Sequence, residues 1–186
     1  MSAKRENKKI VNKKIEKKKD RITKFRWIWA WDFDKEEVWL NEMAAAGWAL
    51  YKVGYCLYHF ERTQPDEYIV RLEMRDRDDA YIAFTEETGA EYIGRVMKWI
   101  YFRRKSEMGS FELFSDLDSR IAHLGRIATL LRILAYMNIF IGIFNSIGYN
   151  ARIAWMNLAV ACLLMYGLGR MQGKKDDLEI ERKLRE

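Results

Sequence analysis

The sequence predicts an α+β protein: a ferredoxin-like βαββαβ sandwich followed by a C-terminal two-helix transmembrane hairpin. Three observations carry this. Segments that alternate apolar and polar residues recur between Lys24 and Arg103, two helical patterns with start and stop signals interrupt them, and two uncharged runs of 17 residues follow. Period-two alternation marks half-buried strands, and a long apolar run marks a helix without a polar face. The boundaries drawn from these patterns are a basic tail over 1–24, a cytoplasmic sandwich over 25–105, an amphipathic connector over 106–132, the hairpin over 133–169 and a charged tail over 170–186.

Charge is unevenly spread. Residues 1–24 hold eleven Lys and Arg against Glu6, Glu16 and Asp20, a net +8, which leaves −2 for the rest of a chain whose formal net charge is +6. Lys13, Lys14, Lys17, Lys18 and Lys19 form a candidate lipid-binding cluster, since a basic residue near an anionic membrane contributes roughly 1 kcal/mol. A solvated, partly helical arm and phosphate contacts with nucleic acid are the alternatives, and the apolar runs downstream favour lipid. The two cysteines, Cys56 and Cys162, lie far apart with no CxxC spacing, which fits a reducing compartment. The charged first residues show no secretory signal pattern.

Taken in order, Lys24 to Trp31 alternates Phe25, Trp27, Trp29 and Trp31 against Arg26, Ile28 and Ala30, a strand pattern. A helix follows. Asp34 is placed at its N-cap with Glu37 three residues on, a capping box, and Phe33 and Val38 are placed to staple together. Glu36 and Glu37 complement the helix dipole. Val38, Met43 and Ala46, flanked by Trp39 and Leu40, give the apolar stripe, and Gly47 ends the helix in a left-handed cap. Trp48 to Glu61 reads as one long strand with Gly54 a bulge or bend. The Thr63–Asp66 turn leads into a strand over 67–74, making a hairpin. Asp78 and Asp79 open a second helix that Gly89 closes, and a last strand runs over 91–103. The order is the split βαββαβ arrangement.

In that arrangement both helices cover one sheet face. With the Trp27/Trp29 side against the helices, the open face carries a candidate partner-binding set of Arg26, Tyr51, Tyr55, Arg71, Trp99 and Tyr101, beside Ile28, Glu73 and Arg103. Such a face can stack on RNA bases, yet no segment matches the RNA-recognition signature. Burial in a self-association or against another segment of the same chain is favoured.

The uncharged runs are Ile133–Tyr149 and Ile153–Gly169, each about 26 Å of helix at 1.5 Å per residue, the low end for a hydrocarbon core about 30 Å thick. Neither has a polar face, so lipid is their expected surroundings. Basic residues flank the outer ends and only Arg152 sits in the turn, which predicts a multi-pass protein of the cell membrane with both termini cytoplasmic. Asn138, Gly142 and Asn145 share a helix face, with Asn157 as a counterpart. Close helix packing and pore lining in an oligomer are both open readings.

No nucleophile elbow, phosphate loop or dinucleotide motif occurs. His59 and His123 lack partners at metal-ligand spacing. The expectation is a protein that is not an enzyme, with no catalytic or metal residues and no cofactor, and with membrane lipid, a second copy and a possible protein partner as its contacts. Nucleic acid is the least favoured partner.

The opening F-R-W-x-W-A-W-D-F-D-K-E-E-x-W-L-N-E-M-A-A-x-G-W, Phe25 to Trp48, resembles a bacterial family known only as a domain of unknown function. The resemblance implies a Trp-rich cytoplasmic domain joined to C-terminal membrane spans, often encoded beside PadR-like transcriptional regulators. It carries over no catalytic or ligand residue.

Overall fold

A computed structural model describes residues 20–114, 116–148 and 151–185. The lysine cluster Lys13–Lys19 lies outside these residues.

Six strands and four α-helices form in the described residues. They are β1 (Arg21–Phe25), α1 (Phe33–Ala45), β2 (Trp48–Gly54), β3 (Leu57–Arg62), β4 (Tyr68–Met74), α2 (Asp79–Glu87), β5 (Ala90–Val96), β6 (Trp99–Lys105), α3 (Leu117–Gly148) and α4 (Ala151–Arg185). The fold is α+β as expected, with two apolar helices at its end. The strands differ from the ferredoxin-like count: there are two three-stranded sheets, ordered β1-β3-β2 and β4-β6-β5. Each segment read as one long strand is a hairpin, closed by the two-residue turns Tyr55–Cys56 and Met97–Lys98. Cys56 (φ 56°) and Met97 (φ 54°) take the left-handed conformation that such turns require.

The two sheets are copies of one plan. Each has a strand, a helix and a hairpin, and the last strand of each set enters between the other two. Gly47 (φ 79°) and Gly89 (φ 85°) hold equivalent places after the helices. The bulges also match, between Leu50 and Lys52 in one hairpin and between Tyr92 and Gly94 in the other. Phe60 and Phe102, at equivalent positions of the inserted strands, are both fully buried.

The chain divides into two compact units. Among the described residues, the first holds 20–28, 35–72 and 76–111; the second holds 29–34, 73–75, 112–114, 116–148 and 151–185. In the first unit, the buried stripe of α1 is Glu36, Leu40 and Ala44, two to three positions before the expected Val38, Met43 and Ala46, and Val38 is exposed. The capping box does not form. Helix α1 begins at Phe33 after a 3-10 turn over Ala30–Asp32, so Asp34 lies within its first turn. Glu37 instead accepts from the Leu72 amide at 3.3 Å. Helix α2 is capped as expected: Asp78 Oδ1 accepts from the amides of Ala80 and Tyr81, each at 3.1 Å.

In the second unit, α3 and α4 are antiparallel. Asp118 near the start of α3 pairs with Arg182 near the end of α4 at 2.8 Å, while Gly142 packs on Leu158, in the earlier half of α4. From Leu117 the connector continues without a break into the first apolar run as α3, to Gly148, and the second run continues into the charged tail as α4, to Arg185.

Candidate functional site

Within the first unit, the one deeply buried carboxylate of α1 is Glu36, in line with Leu40 and Ala44. Its Oε1 accepts from the Tyr58 hydroxyl of β3 at 2.7 Å and the Tyr101 hydroxyl of β6 at 2.6 Å. One carboxylate oxygen therefore ties α1 to a strand of each sheet. Burial pushes the Glu36 carboxyl above its ordinary value, while the hydroxyls of Tyr101 and Tyr58 and the charge of Arg26 pull it down. Burial and then the Glu36 charge push both phenols up, so both remain proton donors at any physiological pH. A buried carboxylate needs such donors, because an unpaired one is costly.

A second tie is Arg103 of β6. Its guanidinium donates to the Leu50 carbonyl at 3.0 Å, Glu61 at 3.1 Å and Glu91 at 2.8 Å, and lies 4.4 Å from the Tyr68 ring centre. Both clusters spend their polar groups on each other and hold the two sheets in one arrangement.

Within the second unit, residues 29–34 lie along α4. Trp31 is 3% exposed, stacks on Trp29 at 4.9 Å and meets Tyr166 edge-on at 6.5 Å. It sits where Gly167 leaves space, since a Cβ there would come within 2.6 Å of the indole Cδ2. One turn on, Arg170 donates to Asp32 at 2.8 Å. A further turn on, Lys174 pairs with Asp34 at 3.0 Å and stands 5.4 Å from the Phe33 ring centre. Positions 166–167, 170 and 174 form one helix face, so the WAWDFD segment reads α4 residue by residue. Residues 73–75 do the same for α3. Arg126 donates to Glu73 and, at 2.8 Å, to the Met74 carbonyl. The Met74 amide donates to His123 Nδ1 at 3.4 Å.

These two clamps, Trp29–Asp34 and Glu73–Arg75, stand at equivalent places of the repeated plan, where the first strand of each set leads into its helix. Sequence reasoning missed both. The WAWDFD signal was visible, but its alternation was assigned to a strand and Asp34 to a cap.

The expected partner face does not form as one surface, because its residues divide between the strands of two sheets and the loop and turn beside them. Tyr101 faces inward on Glu36 and is 4% exposed. Arg26 stands 4.6 Å from the Trp39 ring centre, and Arg71 pairs with Glu37 at 3.5 Å. Tyr51 lies under Arg21 at 4.3 Å, and Trp99 is half-buried at the start of β6. Tyr55 is exposed and meets Trp27 edge-on. Trp27 is itself exposed, opposite to the expectation that it faces the helices.

In the hairpin, Asn138 donates to the Leu134 carbonyl of its own helix at 2.8 Å. A Cβ on Gly142 would lie 3.3 Å from Leu158 and 3.4 Å from the Ala154 carbonyl, so its lack of a side chain admits close helix approach. Asn145 and Asn157 are half-buried. Both α3 and α4 are long and apolar enough to cross a membrane, and only 28% and 17% of their most apolar stretches are buried. Phe140, Phe144, Ile147, Trp155 and Met156 are all at least two-thirds exposed.

Residues 32–136 match the family model described as Protein of unknown function (DUF2812). No curated protein and no solved structure matches the chain.

Proposed function

We propose, for a chain that belongs to the DUF2812 family of proteins of unknown function, a non-enzymatic role as a two-span membrane protein. In this reading the α3–α4 hairpin lies in the bilayer. The α+β module is a cytoplasmic regulatory or scaffold element that binds a protein partner or small ligand and responds to the state of the helices.

The observation that carries this is the pair of clamps. The chain of the module passes twice through the helical unit, at residues 29–34 and 73–75, each time at the point where a strand becomes a helix. Helix shifts of about 1–2 Å are the common scale of switching movements, and one at Gly167–Lys174 or His123–Arg126 would act directly on those two junctions. The exposed apolar belt supports bilayer insertion, since soluble proteins seldom expose contiguous apolar surface of that extent. Arg152 alone in the turn, against Arg170, Lys174, Lys175, Arg182, Lys183 and Arg185 beyond the second run, supports cytoplasmic ends. The Asn138 bond within its own helix and the contact of Gly142 with Leu158 favour a packed hairpin over a pore.

The test is amide hydrogen exchange on the full chain reconstituted in bilayers of short and long acyl chains. Exchange at residues 29–34 and 73–75 is expected to change with bilayer thickness while β3 and β6 stay protected. Clamp exchange that is indifferent to the bilayer would remove the coupling.

A further inference from the structure

We propose that the apolar end of the open face of the first sheet docks on an anionic bilayer surface. This rests on the membrane reading above and adds a second, peripheral lipid contact made by the module itself.

The surface is built by strand register. Phe25 of β1 lies opposite Leu57 of β3, and the Arg26 amide donating to the Cys56 carbonyl at 3.0 Å carries the pairing onward. Trp27 then meets Tyr55 edge-on at 6.3 Å. Alternate residues of a strand share a face, so Phe25, Trp27, Tyr55 and Leu57 stand together. They are 72%, 52%, 64% and 41% exposed. Further along the same face the pairs turn polar: Thr23 bonds to His59 at 2.9 Å, and Arg21 pairs with Glu61 at 3.7 Å. One end of the face is apolar and aromatic, the other wet.

Three features select lipid as the occupant. Tryptophan and tyrosine are the residues that settle at the membrane–water boundary. Cations complement anionic headgroups: Lys52, opposite His59 on this face, is exposed, and residues 1–24 of the sequence carry a net +8. The area is also small. Four such side chains offer on the order of 400 Å², about half of what each partner contributes to a stable protein interface.

The test uses the full chain with Cys56→Ser and Cys162→Ser, carrying a spin label at one introduced cysteine: Tyr55→Cys, Met97→Cys or Phe140→Cys. Met97 marks the equivalent turn of the other hairpin and is exposed. Each is reconstituted in phosphatidylcholine vesicles with and without phosphatidylglycerol, and relaxation by oxygen and by a water-soluble nickel chelate is compared. The label at 55 is expected to be oxygen-dominated in the anionic vesicles, less so in the neutral ones, and nickel-dominated once Phe25→Ser and Trp27→Ser are added. The label at 97 is expected to be nickel-dominated throughout. A label at 55 that behaves like the one at 97, while the label at 140 stays in lipid, overturns this proposal alone. Shielding of position 55 from both reagents means contact with protein, as in a second copy, and also overturns it. A nickel-dominated label at 140 overturns the membrane reading and this proposal together.

Discussion

Replacing Gly167 with alanine adds one methyl group where Trp31 already stands. The new Cβ would lie 2.6 Å from Cδ2 and 2.7 Å from Cζ3 of the indole, and closer still to Cε3. Trp31 is 3% exposed, stacked on Trp29 and met edge-on by Tyr166, so the ring can yield only by giving up those contacts. Overpacking of this kind costs about 1–3 kcal/mol, and contact with several ring atoms places it at the upper end. The helix itself gains about 1 kcal/mol when glycine becomes alanine. The net loss is roughly 1–2 kcal/mol, close to a tenfold change in an opening equilibrium. The reporter is the Asp32 amide, which donates to the Trp29 carbonyl at 2.8 Å inside the clamp. Its exchange is expected to quicken about tenfold in Gly167→Ala. Gly173→Ala, on the same helix with nothing within 4 Å of its Cβ position, provides the contrast: propensity acts alone there, and exchange should stay level or slow. If Gly167→Ala also slows exchange at Asp32, Trp31 is not seated on α4 and the clamp does not exist.

The same reasoning yields three further expectations. In the folded module, burial raises the Glu36 carboxyl, whereas in the unfolded chain it titrates near about 4.3. Its contribution to stability is therefore fully present below that unfolded value and is lost as pH rises through the raised folded value; denaturant titrations across this window should show a decline that Glu36→Gln flattens, and parallel curves would contradict the burial argument. Arg103→Met leaves Glu61 and Glu91 facing each other without their shared cation and is expected to cost about 2–4 kcal/mol, while the exposed Arg77→Met leaves the unfolding midpoint unchanged; equal midpoints for both would remove Arg103 as a tie between the sheets. Gly142→Leu drives a side chain into Leu158 and the Ala154 carbonyl and should separate α3 from α4, seen as a larger spin–spin distance across the pair; an unaltered distance would show that close approach at Gly142 is not needed.

How far the sequence reveals this molecule depends on the kind of signal. Helix ends marked by special backbone were legible: Gly47 and Gly89 sit at positive φ, and Asp78 caps α2. The apolar runs identified α3 and α4 because composition alone suffices there. The hairpins were hidden, because Tyr55–Cys56 and Met97–Lys98 contain neither glycine nor asparagine and the left-handed turn residues are a cysteine and a methionine. With the turns unseen, the duplication of the βαββ plan went unseen too. The Trp27/Trp29/Trp31 alternation misled for a different reason. It has the period of a strand, but β1 ends at Phe25, and Trp29 and Trp31 belong to the clamp on α4. Glu36 looked like a dipole complement at a helix start, and only the fold brings Tyr58 and Tyr101 to it from 22 and 65 residues away.

The most direct measurement is the partition of the intact chain after cell lysis without detergent, followed by ultracentrifugation and an alkaline carbonate wash. The account predicts that the protein stays in the membrane pellet through the wash and is released by detergent. Recovery from the supernatant as a well-behaved monomer would contradict it, because the exposed faces of α3 and α4 would then be stable in water.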